Sequence, residues 1–195
     1  MFEAINQHVL KCSNLSAADL ERFNGYLEFK KVPRKTLLLS AGEICDFEAY
    51  IVKGCIRSYF INEEGAEVTL QLALEDWWVS DIASFNERTP SKLFIETLEN
   101  CELLLFNPTS KERLLRDIPQ FERIFRILIQ RNLSRLQERL YLTLTNNGTQ
   151  KYLDFVKRYP LLPQRVPQHY IASFLCITPE FLSKVRKKLA DSGEC

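Results

Sequence analysis

Apolar and polar positions change their rhythm twice along the chain. Residues 3 to 24 carry helical spacing, with Ser16 placed to cap "AADLERF". From Tyr26 to Phe106 the pattern becomes short β-rich runs: "YLEFKKV", "KTLLLS", "AYIVK", "CIRSYFI", "EVTLQLAL", "LFIETLE" and "CELLLF". Turn-forming stretches break them, among them "SAGEICD", "KG", "NEEG" and "SFNERTPSK". Seven or eight strands at such spacing predict a β-sandwich, roll or barrel. In "INEEGAE", Gly65 can supply the positive φ that a hairpin loop requires.

After Pro108 the helical period takes over. "SKERLLRDIP" reads as a short helix stopped by Pro119, and "QFERIFRILIQRNLSRLQERLYLTLT" as a long one ending near Asn146-Asn147-Gly148. Phe121, Ile124, Phe125, Leu128, Leu136, Leu140 and Leu144 follow one face of the long helix, interrupted by Asn132. That stripe is either a face buried on its own domain or a seam for a twin helix, where one polar Asn sets register. "TQKYLDFVKRYP" forms another helix, and "LLPQRVP" reads as a Pro-bounded linker.

The last segment holds two short helices, "PQHYIASFLCI" and "TPEFLSKVRKKLA". Ile171, Ala172 and Leu175 should face inward from the first, and Phe181, Leu182, Val185 and Leu189 from the second. Thr178 is a capable N-cap, Pro179 suits the first helical position and Glu180 favours the positive helix end. A short break with small Ala172 at the crossing satisfies a helix-turn-helix. Such a reader presents polar side chains near its N-terminus to base edges and cations to phosphates. The candidate DNA-contacting set is therefore Thr178, Glu180, Ser183, Lys184, Arg186, Lys187 and Lys188. An αα-hairpin with a solvated basic face fits the same residues.

Composition narrows the classes. The net charge of +1 conceals a division: residues 1 to 108 hold 10 Lys/Arg against 17 Asp/Glu, whereas residues 109 to 146 and 147 to 195 each hold 8 against 4. An acidic first half and a basic second half suit a sensor or scaffold joined to something that meets an anion. No run of about 18 apolar residues occurs and the N-terminus lacks signal-peptide features, so no membrane partner and a cytoplasmic location are expected. The 6 cysteines (Cys12, Cys45, Cys55, Cys101, Cys176, Cys195) stand singly, which suggests apolar fillers of a reduced protein rather than a metal site or disulfide framework. Nothing resembles an activated nucleophile or a phosphate-cradling Gly loop, so no catalytic residues are assigned and an enzyme is not expected. Asp81 and Glu96 could be drawn as a carboxylate pair, but acids scattered on strands usually face solvent.

In this order, "LLLSAGEICDFEAYIVKGCIRSYF" and "IASFLCITPEFLSKVRKKL" resemble the glycine-punctuated β-roll and the helix-turn-helix of the Crp/Fnr transcription regulators. The resemblance covers nearly the whole chain. It implies an α+β fold in three parts. Residues 1–108 would form a cyclic-nucleotide-binding-like β-roll of the double-stranded β-helix or jelly-roll kind, resembling a cupin. Residues 109–147 would form a linker and dimerisation helix, and residues 148–195 a helix-turn-helix domain. It further implies a homodimer on double-stranded DNA, with RNA polymerase among the expected partners. The alternative is a small-molecule- or protein-binding roll that has lost specific DNA binding.

Members that bind cyclic AMP contact its ribose with Gly-Glu-Leu and its phosphate with Arg-Ser. Ser80-Asp81-Ile82 and Ser91-Lys92 occupy those places here, and loss of the guanidinium removes the main phosphate partner. Cyclic AMP is therefore not expected and no cofactor is assigned. An unknown effector would meet Trp78, Ser80, Asp81, Ser91 and Lys92, with Trp77 beside Trp78 as a second stacking surface. An iron-sulfur sensor would need clustered N-terminal cysteines where only Cys12 stands, and haem would need a placed histidine, whereas His8 and His169 read as surface residues. At the reader helix, Glu180 is kept for a cytosine amino group, but Pro179 and Lys184 stand where the family often has Arg, so the operator should differ. Cys176 replaces the turn glycine and must adopt a left-handed backbone or distort the turn. The six residues after Leu189 are too few for a β-hairpin wing.

Overall fold

The computed structural model describes residues 1–192, with the backbone alone at Ser192. Two short helices open the chain, α1 (Glu3–Leu10) and α2 (Ala17–Asn24). Ser16 and Asp19 form a reciprocal capping box at the start of α2.

Each of the seven β-rich runs contains a strand: β1 (Glu28–Val32), β2 (Leu37–Leu39), β3 (Glu48–Lys53), β4 (Ile56–Ile61), β5 (Glu67–Ala73), β7 (Phe94–Thr97) and β8 (Cys101–Phe106). An eighth, β6, is only Trp78–Val79. They pair antiparallel in two four-stranded sheets, β1-β8-β3-β6 and β2-β7-β4-β5, which is the expected roll. At the tip of the β4–β5 hairpin Gly65 has φ +79, as the turn required. Ile51, Ile56, Phe85, Ile95 and Leu103 are among the side chains that fill the space between the sheets. Cys45 and Cys101 join them, while Cys12 and Cys55 lie in two neighbouring clusters, and all four are buried thiols. Burial pushes Cys55 up to about 12 and Cys101 up to about 11, so neither is a thiolate near neutrality.

A short helix, α3 (Ile82–Glu87), follows β6; after β8 come α4 (Pro108–Asp117) and α5 (Gln120–Thr145), the long helix at its expected bounds. Its stripe is not one face with one fate. Phe121 and Ile124 are fully buried against α1, α2 and the roll. Farther along, Ile129, Leu133, Leu136, Leu140 and Leu144 are 50% to 77% exposed and continue at three- and four-residue steps. The helix is thus a buried core face at its start and an exposed apolar stripe farther along.

The remaining helices are α6 (Gly148–Arg158), α7 (Leu162–Arg165), α8 (Gln168–Phe174) and α9 (Pro179–Ser192). "LLPQRVP" is therefore not a plain linker but contains the single turn α7. Among the described residues, no helix is long and apolar enough to cross a membrane.

Candidate nucleic-acid interface and ligand cradle

Helices α8 and α9 meet across the break at Cys176 as a helix-turn-helix requires. The Ile177 amide donates to the Ala172 carbonyl at 3.0 Å and Cys176 takes φ 54, the left-handed conformation demanded of it. The Phe181 amide donates to the Thr178 hydroxyl at 3.2 Å, so Thr178 caps α9 as read. Ile171, Ala172, Leu175, Leu182, Val185 and Leu189 are buried, but Phe181 is not: it is 41% exposed. Its ring lies over Gly148, where a Cβ would come within 2.3 Å of Cε1, so the bare backbone at the start of α6 gives the ring its seat.

The outward face of α9 carries Glu180, Ser183, Lys184, Lys187 and Lys188 exposed, with Arg186 half-buried and Thr178 exposed at the cap. Among the described residues, no carboxylate lies within 4.0 Å of any of the four cations. The face is basic and open, and among the described residues its cations are unpaired.

The helical head is held to the roll by a clamp that sequence reasoning missed. The buried cluster of the helical head takes Cys55, Leu72 and Leu98 from the roll alongside its own Tyr152, Phe155, Ile171 and Leu182. The Thr69 amide donates to the Ser173 hydroxyl at 2.9 Å, and that hydroxyl donates to the Glu67 carbonyl at 3.0 Å, so α8 satisfies the edge of β5. Arg139 on α5 donates to the Phe174 carbonyl at 3.0 Å and to the Leu70 carbonyl. Arg57, 1% exposed, lies between the rings of Tyr59 and Tyr170 at 3.8 and 3.6 Å, donating to Glu96 at 2.8 Å and Glu67 at 2.7 Å. Arg165 forks onto Glu75 at 2.7 and 2.8 Å and onto Glu99 at 2.7 and 3.0 Å. Burial alone would raise the Glu75 carboxyl; the hydrogen bonds from Arg165 and the Gly54 amide overcome this and hold it at about 2. Glu96 therefore serves Arg57 and forms no carboxylate pair with Asp81.

The motif residues of the roll come together only in part. Asp81 caps α3, accepting from the Ser84 amide at 3.2 Å and from the Ser91 hydroxyl at 2.7 Å. Ser80 donates to the Phe47 carbonyl at 2.9 Å, and Lys92 is exposed. Trp78 does not join them. Val79 faces the packed interior of the roll, and Trp78, its neighbour on β6, turns outward to Tyr50, Phe106 and Phe125. Arg88, another residue the sequence did not single out, brings a guanidinium near this place but donates it to the Cys45 carbonyl at 2.8 Å.

Outside the roll, between β6, α1 and α5, Trp77, Trp78 and Ser80 line an open cleft of about 160 Å³ with His8, Asn132, Arg131 and Arg135. His8 is thus not a plain surface residue. It is half-buried, edge-on to Tyr50 at 5.4 Å. Its pKa is lowered, chiefly by burial; Asp76 opposes the shift, while Lys11, Arg131 and Arg135 add to it.

Residues 29–117 match the family of cyclic nucleotide-binding domains. The chain is 24% identical over 139 residues to the "cAMP-activated global transcriptional regulator CRP" of Salmonella typhimurium, across 71% of this chain and 63% of that protein. The chain thus spans somewhat under two thirds of the length of the curated relatives it matches. Among solved structures, the global regulator CLP of Xanthomonas campestris, described as c-di-GMP responsive, superposes with a TM-score of 0.74 at 17% identity, covering 91% of this chain and 93% of its own. The catabolite activator protein of Thermus thermophilus gives 0.60 at 19% identity, covering 95% and 88%. The β-roll followed by a helical head is the shared architecture.

Proposed function

We propose that the chain is a regulator of the Crp/Fnr kind, homodimeric and sequence-specific in DNA binding, not an enzyme, and that it does not answer to cyclic AMP. The observation that carries the reading is the outward face of α9, whose four cations meet no carboxylate among the described residues, with Glu180, Ser183 and Lys184 exposed at its N-terminal end. Cations of this kind meet phosphates, and the polar N-terminal side chains meet base edges. Residues 1–108 act as the roll, 109–147 as connection and pairing helix, and 148–195 as the DNA-binding head. The exposed seam from Ile129 to Leu144 supports pairing through α5, which would set two reader helices on half-sites about 10 bp apart. RNA polymerase is the further partner of such a regulator.

Indifference to cyclic AMP rests on the cradle. At the place of the phosphate-gripping Arg, Ser91 is 4% exposed and its hydroxyl is committed to Asp81. A buried phosphate there would gain no guanidinium from Ser91's position, would have to draw Arg88 away from the Cys45 carbonyl, and would stand beside a carboxylate.

The test is selection of genomic fragments by the purified protein at moderate salt without added nucleotide, followed by titration of the recovered site. A twofold-symmetric motif is expected. Replacing Lys184 by Ala should weaken specific binding by about 1–3 kcal/mol. Replacing Lys187 and Lys188 together should weaken all sequences and reduce the salt slope by about 2. Recovery of no shared motif, or unchanged affinity and salt slope in these variants, would transfer the reading to a binding module that has lost its DNA target.

A further inference from the structure

The cleft outside the roll has a chemistry that neither the reader face nor the Asp81–Ser91 cradle uses. Trp77 and Trp78 form an aromatic wall, and Phe125 and Leu128 of α5 extend it. The indole Nε1 of Trp78 and the Nε2 of His8 are buried yet have no hydrogen-bond partner among the described residues. Unpaired buried polar atoms each carry a desolvation cost that a ligand can relieve.

Charge decides which ligand. Lys111, also on the cleft wall, is neutralised by Glu48 at 2.6 Å, and Asp76 accepts the Tyr50 hydroxyl at 2.5 Å. Arg131 and Arg135 have no carboxylate within 4.0 Å among the described residues; Arg131 meets only the Cys12 sulfur at 3.4 Å, and Arg135 stands 5.4 Å from the Trp77 ring. Two guanidiniums one helical turn apart, above an aromatic wall, match a planar anion, since the guanidinium fork fits carboxylate geometry. Size is consistent with one ring: a cavity of roughly 150 Å³ holds a benzene, and the accessible part of this open cleft is about 160 Å³.

We propose that this cleft binds a small planar carboxylate of about one aromatic ring, its ring against Trp77 and Trp78 and its carboxylate on Arg131 and Arg135. The site adjoins the Ser80-Asp81-Ile82 motif through Ser80 and Ile82, but its aromatic wall lies outside the roll, since Trp78 turns away from the interior that Val79 packs into. Occupancy would be felt by α5, where Ile129 lines the cleft and also begins the exposed seam.

The protein supplies its own reporter, because its 2 tryptophans both line the cleft. The full chain is titrated with benzoate, and in parallel with benzyl alcohol as the neutral isostere, while tryptophan fluorescence is followed. A saturable change with benzoate, absent with the alcohol, is expected. Arg131→Gln and Arg135→Gln should each weaken it about tenfold or more, as loss of a charge-assisted hydrogen bond does. Both side chains are exposed, so circular dichroism should be unchanged and a lost response cannot be laid to misfolding. No saturable response to benzoate, an equal response to the alcohol, or unaltered affinity in both variants would overturn the proposal. DNA selection uses the reader helix and a different readout, so the two readings stand or fall separately.

Discussion

The roll meets helices on two sides, and the arginines on those sides live in different surroundings. On the side of the helical head, Arg57 is paired with Glu67 and Glu96, and Arg165 with Glu75 and Glu99. On the side of α5, Arg131 and Arg135 have no acidic partner among the described residues and line an open cleft. The residue type is the same and its charge is fixed, so the neighbours alone decide the role. A cation whose carboxylates lie within the chain holds the chain together; one without them is available to something else.

The largest effect is expected where the clamp is most buried. Arg57→Ala removes a guanidinium that is 1% exposed and leaves Glu96, 18% exposed, beside a gap between two phenol rings. Breaking such a pair from one side should cost about 3 kcal/mol, at the lower end for buried pairs because Glu67 is 47% exposed and can rehydrate. Urea denaturation measures it. A loss below about 1 kcal/mol, the range of exposed pairs, would mean that the head rests on its apolar contacts and the clamp is incidental.

A smaller effect, with a pH signature, belongs to Arg165. Its three side chains are 23% to 35% exposed, so solvent screens the fork and Arg165→Gln should cost about 1 kcal/mol at neutral pH. Glu75 titrates at about 2 in the folded chain against an ordinary 4.5. A depressed carboxyl stabilises the fold fully above its unfolded value and loses that contribution as pH falls through the folded one. The difference between wild type and Arg165→Gln should therefore be whole above about pH 4.5 and fade toward pH 2. A difference that stays constant over that window would assign the effect to packing rather than charge.

Much of this organisation is legible in the residues, and the exceptions share a cause. Runs such as "AYIVK" announce strands because β-branched and apolar residues between turn formers leave little else, and the long helix shows both its ends through Pro119 and Asn146. β6 escapes notice because two residues carry no period. The fate of α5's stripe is hidden because spacing defines a face but not what covers it. The exposed basic face of α9 is legible because the helix is amphipathic, whereas Phe181 is misplaced because its seat depends on Gly148, in another helix. Arg57 is the sharpest case. Inside "CIRSYF" nothing singles it out, and only Tyr170, far along the chain, helps to turn it into a buried cation.

The smallest effect sharpens the comparison most. Arg131→Gln and Arg135→Gln delete the same charge as Arg57→Ala but should shift stability by no more than about 0.5 kcal/mol, as substitutions of exposed residues without specific partners do. Neither side chain offsets a carboxylate, and both lie in a cluster where Lys11, Arg131 and Arg135 together depress His8, so removing one cation relieves like-charge repulsion. That relief offsets the lost contact of Arg131 with the Cys12 sulfur, a weak acceptor at 3.4 Å. The same relief should let the His8 pKa rise toward its ordinary 6.5, which proton-detected titration of the imidazole can follow. A loss comparable to that of Arg57→Ala would show that the guanidiniums of the cleft hold the fold, and the division between the two sides of the roll would then disappear.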